Sequence, residues 1–239
     1  MKQNKPMLKK MPAALKAAFP HTIPVMTGFL FLGVAYGILM SGRGYNWLWI
    51  LLISSVVLAG SLQFVGISLL TVAFDPLYTF AIALMINARH LFYGISMLDR
   101  YCGTGRLKPY LIFGLCDETF SLLCSVEPPK DVEKKHFMLA VTMLHHSYWV
   151  AGSLAGGLIG PLLAFDMRGI DFVMTAFFVV IFINQWMARK NHSPALVGIG
   201  AAVVSLIVFG RDNFIVPAMI LIVAALSLFR KQLAKGEGE

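Results

Sequence analysis

Long stretches without charged residues are the feature that most restricts how this chain can fold. A helix needs about 20 apolar residues to cross the roughly 30 Å hydrocarbon core of a bilayer. Eight largely apolar stretches account for nearly all of the 239 residues: 17–42, 44–74, 76–98, 109–126, 136–165, 172–188, 194–210 and 214–229. We therefore predict an all-α integral membrane protein with about eight transmembrane helices, or seven if the last two stretches are redrawn. All of them belong to one transmembrane domain over residues 1–239.

The composition agrees with a membrane protein and excludes other classes of chain. Hydrophobic residues make up 58% of the sequence and charged residues only 13%, which is about half the charged share of a soluble domain. A soluble globule has too much polar surface to be covered by so few charges. The three cysteines show no metal-ligand spacing, so neither a disulfide framework nor a zinc site is expected.

The net charge of +8 is explained by the side of the membrane on which the basic residues fall. Cytoplasmic loops tend to hold the Lys and Arg. With both termini inside, thirteen of the twenty basic residues are cytoplasmic, including those of the N-terminus (1–16) and the tail (230–239). The six predicted outside are Arg43, Arg100, Arg106, Lys108, Arg168 and Arg211. The excess thus indicates topology and attraction to membrane lipid, and no nucleic-acid partner is expected.

Two parts of the sequence resemble each other. The run Ala-Gly-Ser-Leu at 59–62 recurs at 151–154, and the spacing of Asp, Thr, Ile and Asn over 75–87 resembles that over 171–184. The offset is three spans, so the two copies would face opposite ways in the membrane, as in the inverted repeats of secondary transporters. We predict an inverted 3+3 repeat with discontinuous helices. The alternative is chance similarity between helices rich in Gly, Ala and Leu.

The second stretch contains a candidate helix break. Its 31 residues exceed what a straight crossing requires, and Gly60 and Ser61 stand beside the polar Gln63. Backbone groups freed at such a break can bind a carboxylate or an ammonium group. Gly60, Ser61, Gln63 and the neighbouring Phe64 are therefore candidate substrate contacts. The alternative is tight helix packing by small residues.

The third stretch is interrupted by Asn87, Arg89 and His90, with ten apolar residues before them and eight after. We predict a polar break of the helix near mid-depth. Arg89 presents a planar fork that fits a carboxylate, so Asn87 and Arg89 are candidate substrate contacts. Two alternatives stay open for Arg89, which are a structural ion pair with Asp117 or Glu118 and snorkelling to the interface.

The fourth and fifth stretches contain the candidate proton-coupling groups. Asp117 and Glu118 lie within the fourth stretch and His145 within the fifth. Ionisable groups inside a span are costly and are often functional, and buried carboxyl and imidazole groups can exchange protons near neutral pH. We predict that Asp117 and Glu118, with His90 or His145, take up and release protons. A fixed ion pair and a hydrogen-bonded structural histidine are the alternatives.

The remaining patterns concern packing and chemistry that the chain lacks. Gly152, Gly156 and Gly160 recur every four residues on one helix face, which predicts a close-packing surface for another helix. The sequence contains no phosphate-binding loop and no hydrolase or metalloprotease motif. We therefore predict no catalytic residues, no metal, no cofactor and no enzyme activity. The driving force must come from a gradient or from another subunit.

Taken as a set, the motifs of the second, third and fourth stretches make the sequence resemble the AzlC family over roughly residues 15–230. The motifs are Ala59 to Phe64, Asn87 to His90 with Tyr93, and Asp117-Glu118. The resemblance implies the large subunit of a bacterial branched-chain amino-acid exporter in the cytoplasmic membrane. It also implies a small hydrophobic partner subunit, AzlD.

The function that we expect is secondary active export of valine, leucine, isoleucine and methionine by alternating access, coupled to the proton gradient. An apolar pocket separates ligands that differ by one methylene by only about 1–3 kcal/mol, so several similar amino acids should share the site. The alternatives are a permease for another small organic anion or amino-acid-like metabolite, a passive channel, and an intramembrane enzyme that would use Asp117 or Glu118 with His145.

Overall fold

The computed structural model describes residues 7–71, 75–162 and 192–228, together with isolated positions between 172 and 187. Nine helices are described: α1 (Met7–Gly42), α2 (Trp47–Val56), α3 (Gly60–Leu70), α4 (Pro76–Met97), α5 (Lys108–Phe113), α6 (Asp117–Ser125), α7 (Lys134–Ile159), α8 (Ser193–Asn213) and α9 (Ile215–Leu228). Within the described residues there is no β-strand, and the predicted all-α class is confirmed.

Three of the described helices are long and apolar enough to cross a membrane. They are Met11–Gly42, Pro76–Met97 and Ser193–Gly210, and the apolar helices α2 and α3 are shorter. Most of the predicted sixth span, 172–188, lies outside the described residues. So do residues 1–6 of the basic N-terminal segment and the tail from 229 onward. The count of eight spans and the single-domain organisation therefore stay predictions.

The chain divides into two compact units. The first comprises Met1–Thr79 and Ile86–Val173, and the second comprises Phe80–Met85 and Met174–Glu239. In the second unit, α8 packs against α9, and Gly210 interrupts the helical geometry of α8 with φ +74°. All the candidate site residues lie in the first unit, which is described next.

The centre of the first unit is a parallel pair formed by α1 and α7. A Cβ on Gly37 would overlap the Ser153 carbonyl oxygen, and a Cβ on Gly156 would overlap the Val34 carbonyl oxygen. Gly152 and Gly160 meet α1 in the same way, at Leu30 and Ser41. Small residues let the two backbones approach closely. Because residue numbers rise together along both helices, α1 and α7 begin at one end of the unit and finish at the other.

The first hairpin, which we define as α2 and α3, starts at the end of the unit where α1 and α7 finish. Along α2 the chain runs antiparallel to α7, since Ile50 contacts Gly157 and Ser55 lies beside His146. Residues 57–59 are not helical, which confirms the predicted helix break. From there α3 returns, because the Tyr45 hydroxyl before α2 donates to the Leu70 carbonyl at the far end of α3, at 3.2 Å.

The second hairpin, α5 and α6, starts at the opposite end of the unit. Residues 114–116 separate its two arms, so the predicted fourth span is not one continuous helix. Three contacts show that α6 runs parallel to α4: Arg89 with Asp117, Tyr93 with Phe120, and Arg100 with the Leu123 carbonyl. Since α5 joins the end of α4 to the start of α6, the chain must fold back between them.

This return of the chain corrects one prediction about the loops. Arg100 was expected on the opposite side from the loop at 126–133, but its guanidinium lies 3.6 Å from the Glu127 carboxylate. Glu127 in turn is 3.5 Å from Lys134 at the start of α7. The loops at 98–104 and 126–133 therefore lie at the same end of the first unit.

The predicted break in the third stretch is wrong, because α4 is one helix of 22 residues that passes through Asn87, Arg89 and His90. Asp75 caps its N-terminus by accepting from the amides of Leu77 and Tyr78. No Gly or Pro stands at 87–90, and a polar side chain within a helix interrupts the backbone only if it competes for backbone hydrogen bonds. The Arg89 side chain instead finds partners on neighbouring helices.

The inverted repeat stays a prediction. The Ala-Gly-Ser-Leu run at 59–62 straddles the start of α3, whereas the run at 151–154 lies inside the continuous α7. Part of the second matching pair, including Asp171 and Asn184, lies outside the described residues.

Candidate functional site

The guanidinium group of Arg89 bridges the tips of the two hairpins. The tip of each hairpin is its non-helical turn, 57–59 or 114–116, together with the first residues of the helix that follows, α3 or α6. Nη1 donates to the Asp117 Oδ2 atom at 2.5 Å, and Nη2 donates to the Ser61 hydroxyl at 2.8 Å. Asp117 is the first residue of α6 and Ser61 the second residue of α3. Of the alternatives for Arg89, this geometry is that of the structural ion pair with Asp117. The Arg89 side chain is 35% exposed and the Asp117 side chain is 30% exposed.

Both hairpin tips present the start of a helix without a side-chain cap. Ala59 precedes α3 and Cys116 precedes α6, and neither caps the helix through its side chain. The first amides of a helix carry a partial positive charge, so two such ends near Arg89 would repel its guanidinium. The Asp117 carboxylate offsets that repulsion, because it stands in the first turn of α6 and pairs with Arg89 directly.

The first tip is held by the Gln63 amide. Its Nε2 atom donates to the Val57 carbonyl across the break, and its Oε1 atom accepts from the Trp149 indole Nε1 at 3.1 Å. Gln63 is only 3% exposed, and both the nitrogen and the oxygen of its buried amide have hydrogen-bond partners within the protein. Phe64 is also buried and meets Tyr36 of α1 edge to face. Both residues thus support the tip, and neither is among the residues that line the cavity described below.

The second tip carries a chain of buried polar groups. The Thr119 hydroxyl shares hydrogen bonds with the Cys116 thiol at 3.1 Å and with His145 Nδ1 at 2.9 Å. Cys116 also interacts with the Glu118 side chain. His145 is 1% exposed and packs edge to face against Phe29. The chain therefore leads from Glu118 through Cys116 and Thr119 to His145.

A cavity lies between the two tips and α4. Its volume of about 330 Å³ is within the usual range for small-molecule sites. Its wall is mostly apolar, and Asn87 and His90 are its polar side chains. The lining residues are Val56, Val57, Leu58, Ala59, Leu62, Asn87, His90, Gly94, Ile112, Phe113 and Leu115. The non-helical segment 57–59 also lines this cavity.

Comparison with known proteins decides the family. The AzlC protein family matches residues 24–163, and a relative from Bacillus subtilis, the branched-chain amino acid transport protein AzlC, is 52% identical over 94% of this chain and 89% of its own length. The chain belongs to the AzlC family. Uncharacterized membrane proteins of Helicobacter pylori and Archaeoglobus fulgidus are also similar, at 44% identity over 92% of the chain and 25% over 79%. No solved structure matches it.

The matched region of this AzlC-family protein contains the whole candidate site, since both hairpins, α4 and α7 fall within residues 24–163. The structure brings Ser61, Arg89 and Asp117 into one cluster and places Asn87 and His90 on the cavity. Gly60 packs against the Trp149 ring instead, where an added Cβ would lie 3.2 Å from the nearest ring carbon.

Sequence reasoning missed several residues of the site. Leu62, Ile112 and Phe113 line the cavity, but nothing distinguishes them from other apolar residues of their stretches. Trp149 and Thr119 were also missed. A tryptophan inside a Gly-rich helix was a usable signal, since a buried indole N–H needs an acceptor and Gln63 was the nearest candidate amide in a predicted break.

Proposed function

We propose that this AzlC-family protein is the large subunit of an exporter for branched-chain amino acids in the bacterial cytoplasmic membrane. Its substrates are valine, leucine, isoleucine and also methionine. A small AzlD-like subunit completes the transporter, and the proton gradient drives export. The observation that carries this proposal is the apolar cavity beside the unwound segment 57–59, taken together with the name of the Bacillus subtilis relative.

The wall of the cavity supports an apolar substrate side chain. Leu62, Ile112 and Phe113 offer it only hydrocarbon surface, while the Asn87 and His90 side chains supply polar groups at the same cavity. An amino acid needs both kinds of surface, because its ammonium and carboxylate groups require hydrogen bonds and its side chain does not. A few polar groups in an otherwise apolar pocket orient a ligand in this way.

The second tip supports proton coupling. Asp117 and Glu118 are adjacent carboxyl groups inside a largely apolar unit, and Glu118 connects through Cys116 and Thr119 to His145. Groups that lie in one hydrogen-bonded chain can pass a proton between them. In this proposal Asp117 holds the tip through Arg89, and Glu118 with His145 carries the proton.

The function is tested by transport in proteoliposomes with and without the small subunit. Leucine, isoleucine, valine and methionine should move faster than alanine or glutamate, and an imposed proton gradient should raise the rate. Glu118→Gln should remove the effect of the gradient. Uptake of branched-chain amino acids that is no faster than in empty liposomes contradicts the proposal.

The cavity itself is tested by a matched pair of glycine variants. Gly94 lines the cavity and Gly66 does not, and a Cβ at either position meets no other atom within 4 Å. Gly94→Leu should fill the cavity and slow leucine transport more than valine transport, whereas Gly66→Leu should leave both rates unchanged. Equal effects of the two substitutions would place the substrate elsewhere.

The two alternative transport functions give different results in the same liposomes. A permease for another small organic anion would show competition of that anion with leucine or transport of the anion alone. A passive channel would conduct without saturation and without any response to the proton gradient.

A further inference from the structure

We propose that the two hairpins enter the membrane from opposite faces as re-entrant gates of the cavity, and that Arg89 is the positioning residue that holds both tips closed. The gating part rests on the proposed transport function. The topological part does not depend on it.

The lengths of the arms fit hairpins that reach mid-membrane and turn back. The helices α2, α3 and α6 have 10, 11 and 9 residues, which is about 13–17 Å each at 1.5 Å per residue. Each of these three arms therefore covers about half of a 30 Å hydrocarbon core. The fourth arm consists of α5, with six residues, and the 3-10 turn Gly105–Leu107 directly before it. Irregular backbone at that depth is tolerated where it is buried in protein or lines a cavity, and both tips line the cavity.

Opposite entry follows from the parallel pair α1 and α7, which defines the two ends of the first unit. The first hairpin begins and ends where α1 finishes, as the contact between Tyr45 and Leu70 requires. The second begins and ends where α7 starts, since Arg100 reaches both the Leu123 carbonyl and the Glu127 carboxylate. The tips then meet between the two ends, at Arg89.

The distribution of charge supports this topology independently. Apart from Arg89, residues 11–162 contain eight basic side chains. If residues 109–126 crossed the membrane, four would lie on each side, so this part of the chain would show no bias of its own. With two re-entrant hairpins, seven lie on one side and only Arg43 on the other. The seven are Lys16, Arg100, Arg106, Lys108, Lys130, Lys134 and Lys135. Such a bias is typical of a cytoplasmic face.

Arg89 is placed to hold both gates because it lies on neither of them. It belongs to the continuous α4, and its two terminal nitrogens contact one tip each. The Asp117 contact is a charge-assisted hydrogen bond, which is about twice as strong as a neutral one. Loss of the guanidinium frees both tips at once, whereas loss of either partner frees one.

The native cysteine Cys102 tests the topology. It is exposed in the loop after α4. Right-side-out and inside-out vesicles are treated with a membrane-impermeant maleimide, and the labelled cysteines are mapped by peptide mass spectrometry. Lys130→Cys and Arg43→Cys mark the two faces. Cys102 should label in the same vesicles as Lys130→Cys. Labelling together with Arg43→Cys overturns the proposal, and either result is obtained without knowing the substrate.

Cys116 at the second tip reports on the gate. Arg89→Gln should raise its labelling rate about tenfold, the factor expected for losing a charge-assisted hydrogen bond, and from both faces, because the substitution frees both tips. Arg89→Lys keeps the charge but not the fork, and should give a smaller increase. Arg100→Gln at the base of the same hairpin is the matched control and should leave the rate unchanged. An unchanged rate in Arg89→Gln, or a rise from one face only, overturns the role of Arg89 as the residue that holds both tips.

Discussion

The two hairpins have the same architecture but opposite chemistry at their tips. In the first, the break at 57–59 is closed by a neutral amide, since Gln63 joins the Val57 carbonyl to the Trp149 indole. In the second, the tip begins with two carboxyl groups, Asp117 and Glu118, and continues into a hydrogen-bonded chain. Both tips touch the same Arg89 and the same cavity.

The difference indicates a division of labour. An amide carries no charge, so the first tip has the same hydrogen bonds at every pH. The second tip contains groups that can change their protonation, and its link to Arg89 is an ion pair that depends on the charge of Asp117. Because only the second tip is ionisable, a change of pH can alter the hydrogen bonds of that tip while those of the first tip stay the same. The following experiments exchange or remove these properties.

The largest effect is expected when a carboxyl group is placed at the first tip. Gln63→Glu still accepts from Trp149, but it can donate to the Val57 carbonyl only when protonated. At pH 8 the thermal unfolding midpoint in detergent should fall, by the equivalent of about 1–3 kcal/mol for one unsatisfied buried group. It should recover at pH 5. Gln63→Met, which adds no charge, is the control and should lower stability equally at both pH values. Stability of Gln63→Glu that does not change with pH would refute the role of the amide.

An effect of similar size in one of two glycine variants should distinguish the packing of the two tips. A Cβ at Gly114 would overlap the Thr142 methyl group, whereas at Gly60 it would lie 3.2 Å from the Trp149 ring. Gly114→Ala should therefore cost about 1–3 kcal/mol through overpacking, and Gly60→Ala distinctly less. Gly66→Ala has open space and serves as the reference in the same unfolding measurement. A larger loss of stability in Gly60→Ala than in Gly114→Ala would show that the first tip is packed more tightly than the second.

The smallest effect concerns the hydrogen-bonded chain of the second tip. Thr119→Val removes the hydroxyl that joins Cys116 to His145 without changing the shape of the side chain. Stability should fall by about 1 kcal/mol, and proton-driven transport should slow. Thr119→Ser keeps the hydroxyl and should keep the coupling. Unaltered proton dependence in Thr119→Val would exclude this chain as the proton path and leave Asp117 as the candidate.

Several features of the site could be predicted from the sequence because they depend on local chemistry. Gly60 and Ser61 beside a buried polar residue predicted the break, and the structure has it at 57–59. An ion pair of Arg89 with Asp117 or Glu118 was one of the stated alternatives, since a charged group within an apolar stretch usually has a partner. The same reasoning failed for the backbone of α4, because the partners of Arg89 come from other helices and the helix itself stays intact.

What the sequence determined by itself is the membrane class, the family resemblance and the identity of the few charged residues away from the ends of the apolar stretches. Only the tertiary structure decided the path of the chain through those stretches. A hydropathy profile does not depend on the direction of the chain. An apolar stretch of 31 residues such as 44–74 therefore gives the same profile whether it crosses the membrane once or folds back at its middle. The contacts of Tyr45 with Leu70 and of Arg100 with Glu127 show that these two stretches fold back, because a hydrogen bond or ion pair requires its two ends to lie side by side.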